Sequence, residues 1–376
     1  MRPFNVFQKF PVNIVSGKSC YVYDDKGNEY LDLYCGHAVI LVGHTHPYYV
    51  SSILDQLDKI GFYSNAVGNA LQMELAEKLG ISCGYEDYRV FFSNSGAEAN
   101  ENALKLASYH NKRRKVLAFS GAFHGRTAAA AMATDFGEDR APINESLSFS
   151  FVPFNDMGAV EERLYTGEYS AVIVEGIQGV AGVNVADNTF LNKLTDLCKT
   201  TNTILILDEI QCGYGRSGRF FVHQYAGIKP DLITVAKGMG NGFPIAATLI
   251  HPKFEEKLGR LGSTFGGNHL GCAAALSVLK IIEAESLIEN AERIGTYLLE
   301  TLCKFRQIKS VRGRGLMIGL EFESPIVSVR HKLLYKERIF TGASGDHIIR
   351  LLPPLCLTIQ QADIFLAALE KCLRYE

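Results

Sequence analysis

Two charged side chains of opposite sign each follow a short apolar run in this sequence. Asp208 follows TILIL and Lys237 follows DLITVA. Near-continuous apolar runs of this length are typical of buried parallel strands. Because open α/β sheets bind ligands at the carboxyl ends of their strands, we expect the two side chains to share a site. A lone lysine at a strand end is usually an ordinary solvated side chain, so the case for an amine nucleophile depends on its partnership with Asp208.

A third stretch has the features of an anion site. The run RVFFS leads into NSGAEANENALKLASYH, whose apolar stripe predicts a helix opened by Ser95. Amides in the first turn, at Gly96 and Ala97, can hold a phosphate, and the helix dipole adds up to about 2 kcal/mol. Ser95 and Glu98 also fit a capping box, which any helix can carry, so the motif alone is not specific.

The loop GAFHGR, residues 121–126, follows another apolar run and carries an aromatic residue, a histidine and an arginine. Phe123 could stack on a planar ring, and Arg126 could bind a carboxylate through two parallel hydrogen bonds. Without the neighbouring motifs, core packing for Phe123 and a surface position for Arg126 are equally good interpretations. We include His124 in the predicted ligand site with them.

Together these residues meet the three demands of pyridoxal 5'-phosphate (PLP): an amine for the Schiff base, an anion beside the pyridine nitrogen and a cradle for the phosphate. At ~4 Å and an effective dielectric constant of about 20, an ion pair of Asp208 with the ring nitrogen gives roughly 4 kcal/mol before desolvation. That energy is enough to keep the nitrogen protonated at neutral pH. The sequence therefore predicts Lys237 and Asp208 as catalytic residues.

The elements that must position these residues follow from the hydrophobic pattern. Apolar runs alternating with helical segments predict an α/β fold with a mostly parallel sheet, in a large domain over residues 48–256. Residues 1–47 predict an N-terminal arm with a hairpin turn at Lys26, Gly27 and Asn28. Residues 257–376 predict a smaller α/β domain that packs with the arm and ends in a helix capped by Thr358.

Composition narrows the class of partner. The 376 residues are 47% hydrophobic and 21% charged, with a net charge of -2, which is typical of a soluble globular protein with a small-molecule ligand. No basic patch predicts nucleic acid, and no apolar run is long enough to predict a membrane span or a signal peptide. Nine cysteines without a CxxC pair indicate reduced thiols and a cytoplasmic location, with no metal centre.

Five ordered motifs resemble those of the class III aminotransferases: NSGAEANENALKLA, FHGRT, DEIQCGYGRSG, the lysine of ITVAKGMGNGFP, and STFGGNHLGCAAAL. The opening IVSGKSCYVYDDKGNEYLDL and the short chain resemble the acetylornithine branch more than the ornithine or 4-aminobutyrate branches. This resemblance implies the PLP-dependent transferase fold of type I and a homodimer with active sites at the subunit interface.

The resemblance also implies roles for individual residues. Gly96 and Ala97 match the phosphate loop, Phe123 the ring-stacking aromatic residue, and Gln211 a hydrogen-bond partner of the ring hydroxyl. Asp208 matches the partner of the pyridine nitrogen, and Lys237 matches the Schiff-base lysine. Thr264 and Ser263 match a loop lent to the other subunit, where Thr264 reaches the phosphate and Ser263 the substrate side. Arg126 and Arg350 match the arginines that bind substrate carboxylates.

Three positions depart from the family pattern. Ala97 replaces a common threonine and Gly176 a frequent proline. Val180 replaces a glutamate that in relatives can pair with the arginine matched by Arg350. Those relatives bind an ω-amino donor with the arginine neutralised and then free it for 2-oxoglutarate. Valine cannot form that pair, which bears on donor specificity.

The expected reaction is transfer of the δ-amino group of N²-acetylornithine, or N²-succinylornithine, to 2-oxoglutarate. The products are the acylglutamate semialdehyde and glutamate, a step of arginine biosynthesis. Transamination of ornithine or 4-aminobutyrate, and an aminomutase activity, are alternatives within the enzyme class.

Three alternatives come from other classes. One is a non-catalytic binding protein of the ornithine pathway on this fold, against which the intact Lys237 argues. Gly213 to Gly218 reads GYGRSG, a literal GxGxxG after an apolar run, which is the pattern of an NAD-dependent dehydrogenase. No clear amphipathic helix opens there, which weakens this interpretation. His37, His44 and His46 lie on a glycine-rich loop and suggest metal-dependent hydrolysis, although no carboxylate stands nearby at ligand spacing.

Overall fold

The computed structural model describes residues 1–135 and 141–374. Its strands in chain order are β1 Ile14–Lys18, β2 Tyr21–Asp24, β3 Glu29–Leu33, β4 Arg89–Ser93, β5 Lys115–Phe119, β6 Phe149–Val152, β7 Tyr169–Glu175, β8 Ile177–Gln178, β9 Asn184–Val185, β10 Ile204–Asp208, β11 Leu232–Val235, β12 Ala246–Ile250, β13 Ser310–Arg314, β14 Met317–Glu321, β15 Ile339–Ser344 and β16 Ile348–Leu351.

The helical segments alternate with these strands over most of the chain. They are α1 Cys35–Ala38, α2 Pro47–Leu57, α3 Ala70–Cys83, α4 Gly96–Asn111, α5 Ala128–Met132, α6 Met157–Leu164, α7 Asn188–Thr201, α8 His269–Ala284, α9 Leu287–Leu302, α10 Val327–Tyr335 and α11 Ile359–Leu373, with short 3₁₀ turns at Pro142–Asn144, Val222–Tyr225 and Lys237–Met239. The segment α1 is a single left-handed turn, because all four of its residues have φ between +53° and +69°. Within the described residues, no helix has the length and apolar character needed to cross a membrane.

The first seven-stranded sheet has the order β4-β12-β11-β10-β7-β5-β6. Only β12 runs against its neighbours, so the mostly parallel sheet predicted from the sequence is confirmed. Alternate residues of one strand enter different cores: Val172 packs with the residues of α7, whereas Ile173 packs with those of α4. Helices therefore cover both faces, which is why the strands read as continuous apolar runs.

The second seven-stranded sheet has the order β1-β2-β3-β15-β16-β14-β13. The N-terminal strands thus join the C-terminal ones, through a parallel pairing of β3 with β15. The predicted hairpin turn is present, and Gly27 adopts φ +80° between β2 and β3. Thr358 caps α11, as predicted, by accepting a hydrogen bond from the Gln361 amide at 3.3 Å. The exact domain boundaries stay a prediction.

Candidate active site

A cavity of about 270 Å³ opens at the carboxyl edge of the parallel sheet. The strands β4, β5, β7, β10 and β11 each end beside it, as expected for a ligand site in an open α/β sheet. Eight of the residues predicted from the sequence line this cavity: Ser95, Gly96, Ala97, Phe123, His124, Asp208, Gln211 and Lys237. The carboxylate and the amine on which the sequence argument depends are therefore brought to one place.

Asp208 is the most firmly held side chain of the site. It is 3% exposed, and its Oδ2 accepts hydrogen bonds from Asn100 Nδ2 and His124 Nδ1, both at 2.8 Å. Its Oδ1 accepts the Ile210 amide at 3.0 Å. These three donors fix the position of the carboxylate. Such a carboxylate is suited to hold a protonated nitrogen in the cavity.

Lys237 begins the 3₁₀ turn that follows β11, with φ +45°. For a residue with a side chain this left-handed conformation is strained, and such strain is characteristic of functional positions. Burial lowers the pKa of the Lys237 ammonium group, although Asp208 and Glu175 oppose that effect with their negative charges. A lowered pKa increases the fraction of neutral amine, which is the nucleophilic and basic form.

The polar lining fits the ring end of PLP. Two buried atoms, Gln211 Oε1 and His124 Nε2, have no hydrogen-bond partner among the residues that the structure describes. Buried polar atoms without partners are costly and rare in folded proteins, so a polar ligand is the natural partner for them. The other amide atom of Gln211, Nε2, donates to the His37 carbonyl of the left-handed turn at 3.2 Å.

The phosphate end is the start of α4. The amides of Gly96 and Ala97 lie in the first turn, where a helix offers them no backbone acceptors. Ser95 caps the helix by accepting the Glu98 amide at 3.3 Å, but the Glu98 carboxylate binds the Asn94 amide at 2.6 Å. The expected capping box is therefore only half formed. A Cβ atom at position 96 would lie 2.8 Å from an Ile210 methyl group, so glycine lets this helix start approach the end of β10.

Sequence reasoning missed Glu175, a buried carboxylate at the end of β7. Its two oxygens accept the amides of Phe123 at 3.0 Å and Gly179 at 3.1 Å. Burial raises its pKa to about 7, with His124 opposing and Asp208 reinforcing that shift. An acidic residue ending an apolar run is the signal that identified Asp208, and the same signal could have identified Glu175. Asn100, inside α4, gave no comparable signal.

The two predicted carboxylate-binding arginines lie outside the cavity lining. The Arg126 guanidinium lies 5.4 Å from the centre of the Phe123 ring. Arg350, on β16, is 5% exposed and donates through Nη1 to the Gly179 carbonyl and through Nε to the Ala343 carbonyl, both at 2.9 Å. Its positive charge contributes to the lowered pKa of Lys237.

Val180 lines the cavity next to the carbonyl that holds Arg350. Across residues 1–135 and 141–374, no carboxylate forms an ion pair with Arg350. The guanidinium is therefore held in place by neutral groups, and its charge is not cancelled by a direct partner.

Ser263 and Thr264 do not reach the Lys237 cavity of their own chain. They line a separate surface cavity of about 420 Å³, where Asn94 Nδ2 donates to Ser263 Oγ at 3.1 Å. The predicted roles of these two residues concern a second subunit, and they stay predictions.

The residues that suggested a dehydrogenase or a metal-dependent hydrolase form no such site in the structure described over residues 1–135 and 141–374. The stretch Gly213 to Gly218 forms successive turns, and no α-helix opens within it. The three histidines have separate neighbours: the His37 ring lies 4.7 Å from Tyr34, His44 bonds to Asp32 at 2.9 Å, and His46 bonds to Glu285 at 2.7 Å. The described residues include no group of three or more His, Cys, Asp or Glu side chains arranged for a metal ion.

Comparison with known proteins agrees with this site. The family model "Aminotransferase class-III" matches residues 5–373. The acetylornithine aminotransferase of Archaeoglobus fulgidus is 41% identical over 94% of this chain and 93% of its own length. Among solved structures, the ornithine aminotransferase of Toxoplasma gondii, described with partial occupancy of PLP at its active site, has a TM-score of 0.89 at 31% identity, covering 98% of this chain and 91% of that one. The acetylornithine aminotransferase of Elizabethkingia anophelis has a TM-score of 0.85 at 30% identity, covering 98% and 95%.

The chain is thus a PLP-dependent transferase of fold type I. More narrowly, it belongs to the class III aminotransferases, as the sequence motifs indicated, and it is an aminotransferase by function.

Proposed function

We propose that this enzyme transfers the δ-amino group of an N²-acylornithine, acetylated or succinylated, to 2-oxoglutarate. The products are the acylglutamate semialdehyde and glutamate, and the reaction serves arginine biosynthesis. The observation that carries this proposal is the common cavity of Asp208 and Lys237 in a chain whose relatives are named acetylornithine aminotransferases. Arginine biosynthesis is the pathway in which this reaction would take place.

PLP, when bound, supplies an electron sink for the negative charge left when the donor carbon loses a proton. Lys237 would hold the cofactor between turnovers. Once the donor amine has displaced it, the neutral side chain of Lys237 would take the proton from the donor carbon. It would then donate that proton to the second carbon that is protonated in transamination. Asp208 would keep the proton on the ring nitrogen, and Asn100 and His124 would hold Asp208 in place.

The other cofactor contacts follow from the lining. Ser95, Gly96 and Ala97 would hold the phosphate, Phe123 would stack on the ring, and Gln211 would bind the ring hydroxyl. His124 would contact the ring side through its unpartnered Nε2. Arg126 would bind the α-carboxylate of the acylornithine, and Arg350 a carboxylate of 2-oxoglutarate.

The assembly would be a cytoplasmic homodimer with Thr264 and Ser263 completing the phosphate and substrate sides of the partner's site. Large exposed apolar side chains on α2 and on the segments around 62 and 265 support a protein interface there: Leu54, Leu57, Phe62, Tyr63 and Phe265. Residues 48–256 would form the large domain, and residues 257–376 with the 1–47 arm the small one.

A donor panel tests the substrate. With 2-oxoglutarate as acceptor, we expect kcat/KM for N²-acetylornithine or N²-succinylornithine to exceed that for ornithine and 4-aminobutyrate by at least about tenfold. The better acylornithine of the two identifies the acyl group. A higher value for ornithine or 4-aminobutyrate would overturn the proposed substrate.

Replacement of the lysine tests the chemistry. Lys237→Ala should lose turnover and the visible absorbance of the lysine-linked cofactor. Lys229→Ala, at an exposed lysine, should keep both. An active and still coloured Lys237→Ala enzyme would remove Lys237 from the mechanism.

A further inference from the structure

Two thiols from opposite ends of the chain meet outside the candidate active site. Cys20 precedes β2, and Cys356 follows β16. Their sulfur atoms lie 3.7 Å apart, and the Ser19 hydroxyl lies 3.8 Å from the sulfur of Cys356. A disulfide requires about 1.7 Å of further approach of the two sulfur atoms.

The two thiols differ in exposure. Cys20 is 0% exposed, whereas Cys356 is partly exposed. A reagent in solution therefore reaches Cys356 first, and Cys20 stands behind it. This arrangement of an outer and an inner thiol is typical of sites that form an internal disulfide through a mixed one.

A buried positive charge lies close to this pair. Arg216 is 0% exposed, and its Nη1 donates to the carbonyls of Leu316 and Pro353, the latter in the same segment as Cys356. Its Nε and Nη2 have no partner, and no carboxylate pairs with it, among the residues that the structure describes. The negative forms of Cys35 and Cys356 both interact with this charge, Cys35 more strongly, whereas the Glu285 carboxylate raises the pKa of Cys356. A cation without a counter-ion favours a nearby thiolate.

Hydrogen bonding acts in the same direction. The thiol of Cys20 and the hydroxyl of Ser19 can both donate to the sulfur of Cys356. The bond from Cys20 lowers the pKa of Cys356, while the pKa of Cys20 itself is raised. The outer thiol accepts both hydrogen bonds and is the more exposed of the two, which favours its thiolate, and the thiolate is the nucleophile in disulfide exchange.

We propose that Cys356 and Cys20 form a thiol-modification site that reacts with small disulfides of the glutathione type. The Cys356 thiolate attacks one sulfur of the reagent, forms a mixed disulfide and releases one thiolate. Cys20 then gives up its proton and attacks the sulfur of Cys356, which forms the Cys20–Cys356 bond and releases the second reagent thiol. Two protein thiols are oxidised and one reagent disulfide is reduced.

This site is independent of the proposed reaction. Neither thiol lines the Lys237 cavity. The new bond would link the start of β2 to the segment after β16. The N-terminal strands and this segment already meet where the Leu352 amide donates to the Leu33 carbonyl of β3 at 2.8 Å.

The test uses the PLP-loaded enzyme in a Cys303→Ser background, because Cys303 is the exposed cysteine and would react on its own. The protein is incubated with oxidised glutathione, and intact mass and alkylated cysteines are measured. We expect the Cys303→Ser protein, the parent of the further variants, to lose two alkylatable thiols without gaining glutathione. Its digest should contain linked peptides of residues 20 and 356. The Cys20→Ser variant should gain one glutathione, and Cys356→Ser should react at least about tenfold more slowly.

Two results would overturn the proposal. In the first, the Cys303→Ser parent keeps all its thiols after incubation. The unsubstituted chain, treated in the same way, is modified at Cys303, which shows that the reagent was active. In the other, Cys356→Ser loses thiols as fast as the parent. The digest of the unsubstituted chain gives a decision even where a serine variant fails to fold, since it requires no change at either thiol.

Discussion

Glu175 gives a prediction whose magnitude follows from its surroundings. Its carboxylate is buried, and burial raises its pKa from 4.5 to about 7 in the folded protein. The folded state therefore holds this proton more tightly than the unfolded chain does. The stability that comes from this proton is fully present below about pH 4.5 and is lost as the pH rises through 7. Since one pKa unit corresponds to about 1.4 kcal/mol, the loss amounts to about 3 kcal/mol.

Replacement of Glu175 by glutamine removes this pH dependence at a fixed cost. The glutamine side chain stays neutral at every pH, but its NH₂ group cannot accept one of the two amides, from Phe123 or Gly179, that the carboxylate binds. An amide left without its acceptor costs about 1–3 kcal/mol. We therefore expect Glu175→Gln to be less stable than the wild type at pH 5 and equal to it or more stable at pH 8.

The assay is the difference in Tm between the two PLP-loaded proteins at pH 5 and pH 8, at one scan rate. In a chain of this size each kcal/mol corresponds to roughly 2 °C or somewhat less, so the difference should change by about 5 °C in favour of the variant. Other titrating groups are common to both proteins and cancel. Glu162→Gln, at an exposed acid, is the matched control and should show no such change. A Tm difference that stays constant within about 1 °C would refute a raised pKa at Glu175.

Three further substitutions probe separate parts of the site. Asp208→Asn keeps the shape but removes the charge, so kcat should fall by a factor of about 10² to 10³, from roughly 3–4 kcal/mol of lost ion pairing. Tm should fall as well, because the new NH₂ group faces a hydrogen-bond donor in place of an acceptor. A fall in kcat of less than tenfold would contradict the role of the carboxylate. Val180→Glu places a carboxylate beside Arg350 and should raise KM for 2-oxoglutarate about ten- to hundredfold, whereas Val180→Gln should leave KM unchanged. Equal effects of the two substitutions on KM would show that side-chain size matters rather than charge. Asn100→Ala leaves the Thr234 hydroxyl without its acceptor and Asp208 without one donor, so the free energy of unfolding should fall by about 2–4 kcal/mol, measured by urea denaturation; a loss below about 1 kcal/mol would show that water replaces the amide.

The sequence identified what depends on local pattern. Apolar runs located the strands because both faces of the parallel sheet are buried. The residue that follows each run lies at the edge of the sheet where ligands bind, and this rule identified Asp208 and Lys237. It missed Asn100 because a polar residue within a helix has no pattern that distinguishes a buried position from a solvated one. It could not place Ser263 and Thr264 either, since a loop that acts across an interface has no partner within one chain.

The ring side and the carboxylate side of the site are held by different parts of the fold. Substitutions on the two sides should therefore change different kinetic constants. Asn100 links β10, β11 and the loop after β5: its amide donates to Asp208 and to the His124 carbonyl, and its oxygen accepts the Thr234 hydroxyl of β11. The geometry around the ring of the cofactor thus depends on side chains joined through one residue, and substitutions there should change kcat. Arg350 instead stands on the second sheet and donates to the Gly179 carbonyl, in the connection between β8 and β9. Recognition of the acceptor carboxylate therefore depends on how β16 packs against the β8–β9 connection, so changes along that contact should act on KM for 2-oxoglutarate while the chemical step is preserved.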